Sequence, residues 1–99
     1  MLALDGEIPV YLHLGVTDMR SGFDRLAEKV RVELGRSLLS GGLFVFFNRD
    51  RSRVKIAYWD GDGFALWYKR LEAGVFRVER RGSGYEEITV VLQKLVAIW

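Results

Sequence analysis

The feature that most constrains this chain is the tetrapeptide Asp60-Gly61-Asp62-Gly63, set between residues 53–59 and residues 64–71. Glycine and aspartate tolerate the positive φ that tight hairpin turns require. The two flanking runs, RVKIAYW and FALWYKRL, read as strands that such a turn folds back on each other. A two-residue loop at Gly61-Asp62 and a four-residue loop over residues 60–63 give the same register. Both place Trp59 opposite Phe64, Ala57 opposite Leu66, Lys55 opposite Tyr68 and Arg53 opposite Arg70. Side chains alternate along a strand, so these eight share one face. The other face carries Val54, Ile56, Tyr58, Ala65 and Trp67 and reads as core, with Lys69 near its open end.

The rest of the chain supplies further elements. Pro9 precedes a short strand at residues 10–14, closed by Gly15. Ser21-Gly22-Phe23-Asp24 predicts a helix start, with Ser21 as the cap and Asp24 at the positive end of the dipole. Phe23, Leu26, Ala27, Val30 and Leu34 fall on one stripe of that helix, and Gly35 is its terminator. After Gly41-Gly42, residues 43–47 (LFVFF) form an unbroken apolar run suited to a strand buried on both faces. Residues 48–52 are polar and turn-like. Ala73-Gly74 marks another turn, and residues 75–80 read as a further strand. Ser83-Gly84-Tyr85-Glu86 is a capping box for a closing helix with Ile88, Leu92, Leu95, Val96 and Trp99 on one face. The expectation is a single α+β domain over residues 1–99, ordered β-α-β-β-β-β-α. Two helices pack on a mainly antiparallel sheet of about five strands.

Composition bounds the chemistry. A chain of 99 residues that is 49% hydrophobic can build a core without staples. It has no cysteine, which removes disulfides, thiolate nucleophiles and cysteine-bound metals. That suits a reducing compartment. With no apolar run of membrane-spanning length and no basic-then-apolar start, the chain is expected to be cytoplasmic. Charge is unevenly placed. Residues 1–48 carry five basic and six acidic side chains, residues 49–81 nine and five, and residues 82–99 one and two. The excess of positive charge thus sits in the middle third, where it can attract a polyanion.

Catalytic patterns are weak. His13 is the sole histidine, without triad spacing or a second metal-binding histidine, and reads as structural. Asp60-x-Asp62-Gly63 resembles the opening of a calcium loop, but position twelve would be Leu71, so a turn is the better reading. Asp18, Asp24, Asp60 and Asp62 have local duties as caps and turns, and no phosphate-cradling glycine loop is present. No metal, no cofactor and no enzymatic activity are expected.

The first hairpin face is basic at its open end and apolar near the turn. Arg53 directly opposite Arg70 is mildly destabilising unless something anionic lies between them. With Tyr68 among the cations, the end has what a nucleic-acid surface needs: charges for phosphates and a ring for a base. The competing reading is that Glu72, Glu79 or a helix carboxylate neutralises the pair. The candidate phosphate contacts are Arg49, Arg51, Arg53, Lys55, Lys69 and Arg70, with Tyr68 as the stacking ring. Asp18 and Arg20, in the loop before the helix, are either a local ion pair or part of a partner-docking loop.

Two stretches carry a family resemblance. One is Gly15-Val16-Thr17-Asp18-Met19-Arg20-Ser21-Gly22-Phe23-Asp24 with Leu26-Ala27. The other runs from Leu43-Phe44-Val45-Phe46 through Asn48-Arg49, Val54-Lys55, Tyr58-Trp59-Asp60-Gly61 and Gly63-Phe64. It continues into Leu66-Trp67-Tyr68-Lys69-Arg70-Leu71-Glu72, Gly74 and Phe76. Together, over roughly residues 9–98, they resemble the small TnpB-type accessory protein encoded by the second reading frame of IS66-group bacterial insertion sequences. The resemblance implies a protein that assists transposition of its element, while a separate transposase carries out the chemistry. It does not imply the much longer RNA-guided nuclease that shares the TnpB name. The chain departs from the pattern at Arg25, where the family often has glycine, and by an early C-terminal end, which suggests a missing tail. The partners implied are element-end DNA and the transposase. A module that grips the transposase without touching DNA is the alternative.

Overall fold

The five-residue run Leu43–Phe47 forms β2, and every one of its residues is buried because it lies in the interior of a sheet with both faces covered. The computed structural model describes residues 9–76. Within them the order is β1 (Val10–Val16), α1 (Phe23–Leu34), a short 3-10 turn (Leu38–Ser40), β2, β3 (Arg53–Trp59) and β4 (Phe64–Arg70). The four strands lie side by side in sequence order.

The β3–β4 register is the expected one, with Trp59 opposite Phe64 and Arg53 opposite Arg70. β2 and β3 are also antiparallel, but β1 runs parallel to β2, pairing Val10 with Leu43 and His13 with Phe46. The sheet is therefore mixed, with four strands among the described residues and one α-helix against it. The expected sheet had about five mainly antiparallel strands and two helices. The parallel pair follows from the connection. A chain leaving β1 crosses over through α1 before it returns as β2, and such a crossover delivers a parallel strand. Val75 and Phe76 are not in a strand. The rest of the strand expected at residues 75–80, and the closing helix after Ser83, lie outside the described residues.

α1 covers one sheet face. Leu26 and Val30 are fully buried against Phe44, Phe46 and Ala57, with Leu38 of the 3-10 turn beside them. Burying side chains of this size contributes roughly 1.5–3 kcal/mol each. The opposite face buries Leu12, Val45, Val54 and Ile56, and Phe76 packs there with Leu71 and Trp67. The chain returns to that face through two backbone bonds. Leu71 donates to the Ser52 carbonyl at 2.8 Å and Phe76 to the Arg51 carbonyl at 2.7 Å. Both faces of the hairpin are therefore core along its middle, not one alone.

The helix ends are set locally. Gly35, at φ 64°, closes α1 by donating to the Val30 carbonyl. At the start, Gly22 and not Ser21 occupies the cap position, and no side chain caps it. Ser21 lies one residue too early, is buried, and donates its N–H to the Asp18 carbonyl at 3.0 Å. β1 runs two residues past the expected end, through Gly15. A side chain at Gly15 would bring its Cβ within 2.9 Å of His13 Cε1, so the imidazole would have to shift to admit one. Among the described residues no helix is long and apolar enough to cross a membrane.

Candidate nucleic-acid interface

At the open end of the hairpin, antiparallel pairing sets Arg53 against Arg70, and the turn before β3 brings Arg49 and Arg51 to the same end. That turn is tightly bonded. Asp50 Oδ1 accepts from the Ser52 N–H at 3.0 Å and its hydroxyl at 2.7 Å, and Asn48 Oδ1 accepts from the Arg53 N–H at 3.0 Å. The Ser52 hydroxyl and N–H hold the Asp50 carboxyl below its ordinary pKa. Arg51 sits at φ 60°, the left-handed region that side chains seldom adopt, with its guanidinium 5.8 Å from the centre of the Phe47 ring.

Arg49 is exposed, Arg53 is partly exposed, and neither has an ion-pair partner among the described residues. Arg70 does have one, donating to Glu72 Oε1 at 3.2 Å in a solvent-exposed pair. Glu72 is thus one of the carboxylates expected to offset the facing arginines, although it engages Arg70 alone. Exposed ion pairs of this kind hold weakly and yield to a competing anion. Tyr68 is 47% exposed, two residues from Arg70 on the same face.

The two lysines differ from the sequence expectation. Lys55 is only 8% exposed. Its ammonium donates to the Ser21 carbonyl at 2.9 Å and lies 5.3 Å from the centre of the Tyr68 ring. The reason is the placement of α1, whose entry loop covers this part of the face that the sequence alone left open. Lys69 points to the opposite face, where its Nζ is buried without a hydrogen-bond partner among the described residues. Arg53, Arg70 and Tyr68 thus share one face near the open end of the hairpin, Arg49 and Arg51 lie in the turn at that end, and Lys55 and Lys69 turn inward.

Asp18 and Arg20 engage each other. Arg20 Nη2 donates to Asp18 Oδ2 at 2.7 Å, and the Arg20 backbone N–H donates to Oδ1 at 2.9 Å. The guanidinium holds the Asp18 carboxyl well below the usual carboxylate range. The local ion pair is thus present.

His13 connects β1 to α1. Its Nε2 lies 2.8 Å from Glu33 Oε2, and its Nδ1 lies 3.4 Å from Thr17 Oγ1. Hydroxyl, imidazole and carboxylate in a row resemble a nucleophile triad, but Thr17 is 1% exposed and a substrate cannot reach it. The row fastens helix to sheet. Among the described residues no group of three or more His, Cys, Asp or Glu could hold a metal ion.

The other end of the hairpin carries a feature the sequence reading missed. Trp59 and Phe64 meet edge to face with centroids 5.0 Å apart, and Phe23 of α1 approaches Phe64 at 6.3 Å. All three are more than a third exposed. The Trp59–Phe64 pair was implicit in the register. The addition of Phe23, 41 positions away from Phe64, depends on where the helix lands.

Residues 8–98 match the family described as IS66 Orf2 like protein. The chain is also similar to an uncharacterized protein, y4hO, of Sinorhizobium fredii, with 42% identity over 76 residues. That match covers 77% of this chain and 66% of the relative, so the chain spans slightly less than two thirds of that relative's length. No solved structure matches it.

Proposed function

The chain belongs to the IS66 Orf2-like family, and on that premise we propose that it is a non-catalytic accessory protein of insertion-sequence transposition that binds element DNA through the open end of its β3–β4 hairpin and assists the separate transposase. The observation that carries the DNA reading is the register that sets Arg53 against Arg70 on the face of the half-exposed Tyr68, with Arg49 in the turn at the same end and neither Arg49 nor Arg53 in an ion pair among the described residues. Guanidinium groups fixed on a turn and two paired strands suit phosphate oxygens. The ring beside them offers a face to a base. Among the described residues the exposed carboxylate engaged there is Glu72, and such a pair is displaceable. The non-catalytic reading rests on the side chains present. The single histidine is tied to Glu33, and Asp18 is tied to Arg20.

The test is binding of the full chain to element-end duplex DNA by fluorescence anisotropy across a salt series, with and without the transposase. Each phosphate neutralised on duplex DNA contributes a log–log slope of about −0.9, so three arginine contacts give a slope near −3. Changing Arg53 and Arg70 together to glutamine flattens the slope by up to about two units and weakens all sequences alike. A double variant that binds DNA unchanged but no longer binds the transposase makes this end a protein-docking surface instead. The exposed aromatic cluster at the opposite end favours some protein contact in either case.

A further inference from the structure

The two ends of the hairpin are of opposite chemistry. The tip presents Trp59 and Phe64, in ring contact with each other, and between them in sequence the exposed carboxylates Asp60 and Asp62. Asp24 of α1 shares with Phe64 the lining of a cavity of about 280 Å³ beside the tip. None of these three aspartates has an ion-pair partner among the described residues. The open end presents Arg49 and Arg53, likewise without ion-pair partners, with Arg70 and the half-exposed Tyr68. Six strand steps separate Trp59 from Arg53, about 20 Å at the usual rise, so one molecule cannot bring its own tip to its own open end. Tip and open end can therefore meet each other only between molecules. Guanidinium groups also pack on aromatic faces, which pairs the same arginines with Trp59 and Phe64.

We propose that the hairpin tip of one molecule docks on the open end of the hairpin of a second copy, Asp60 and Asp62 against Arg53 and Arg70, in a head-to-tail contact. The occupant is a copy of this chain because the opposite charges and the exposed rings lie on the same molecule. Nucleic acid does not suit the tip, since its carboxylates repel phosphates. A head-to-tail contact is heterologous, so each molecule keeps one free tip and one free open end, and association proceeds to rings or chains. The contact uses arginines that the functional reading assigns to phosphates. Self-association and DNA binding therefore compete.

Sedimentation velocity of the full chain without DNA tests this. The weight-average mass is expected to rise above the 11.4 kDa of one chain as concentration increases, and to fall back in high salt. Asp60→Asn with Asp62→Asn, at the tip, and Arg53→Gln with Arg70→Gln, at the open end, each weaken self-association at least tenfold. Circular dichroism should show both variants folded. Mixing the two variants leaves one intact tip and one intact open end, and should restore a 1:1 heterodimer that cannot extend further. A wild-type chain that stays monomeric at every concentration overturns the proposal. So does a mixture that fails to pair, or self-association that survives in either variant alone. Because no DNA is present, failure here is distinct from failure of the DNA-binding reading, which the anisotropy slope decides.

Discussion

The ammonium of Lys55 donates to the backbone carbonyl of Ser21 at 2.9 Å, joining the middle of β3 to the loop that leads into α1. The bond spans 34 positions of sequence and is buried, so it ties the helix entry to the sheet. Lys55 stands beside Arg53 on the same hairpin face, yet it belongs to the core and not to the surface that meets solvent.

Replacing Lys55 by alanine therefore acts on the fold. It leaves the Ser21 carbonyl without its donor, and an orphaned buried polar group costs about 1–3 kcal/mol. Denaturant unfolding should show a loss of that size. The salt slope of DNA binding should stay unchanged, whereas an exposed phosphate contact would reduce its steepness by about 0.9. A reduced slope with full stability would return Lys55 to the DNA-facing set.

Gly15→Ala should destabilise the sheet edge through a particular neighbour. The added Cβ would meet His13 Cε1 at 2.9 Å, and overpacking of this kind costs about 1–3 kcal/mol. In a double-mutant cycle with His13→Ala, the two losses should fall short of additive by at least about 0.5 kcal/mol, because removing the ring removes the clash. Strict additivity of the denaturant midpoints would mean that the backbone, and not His13, requires the glycine.

The Asp18–Arg20 pair predicts an acid-side effect. Hydrogen bonding to Arg20 lowers the Asp18 pKa in the folded protein. A depressed carboxylate contributes stability that is present above its unfolded pKa and is lost as pH falls through the folded value. Stability should thus decline below about pH 4, and less steeply in Asp18→Asn. Glu28 and Asp50 are lowered too, so the difference between wild type and variant isolates Asp18. In cells, Arg20→Ala should separate the pair's two readings. Lost transposition with unchanged thermal stability would assign the loop to partner docking.

Purified protein with magnesium or manganese should neither cut nor join element DNA. A gel assay of supercoiled and nicked substrate checks this. Metal-dependent cleavage that vanishes in Asp60→Asn or Asp62→Asn would overturn the non-catalytic reading, since those tip aspartates would then be metal ligands.

Local chemistry made much of the fold legible. The register from Trp59–Phe64 to Arg53–Arg70 follows from the parity of a short Asp-Gly turn, which either loop length preserves. The stripe through Leu26 and Val30 and the terminator Gly35 define α1 by spacing and by backbone freedom alone. The parallel β1–β2 pair was within reach as well, because a strand–helix–strand order implies a crossover, but the prominent hairpin drew the expectation toward an antiparallel sheet. The helix cap was misplaced by one residue, where serine and glycine stand side by side and both are acceptable caps.

The candidate site divides in the same way. Residue types and strand alternation determined that Arg53, Lys55, Tyr68 and Arg70 share one face and that Lys69 takes the other. They did not determine which part of that face meets solvent. That depends on Leu26 and Val30 packing on Phe44, Phe46 and Ala57, which lays the entry loop over Lys55 and sets Phe23 beside Phe64. Periodicity records which side chains point the same way. Only long-range packing decides which of them are covered, because the covering element lies far along the chain and no local pattern encodes where it settles.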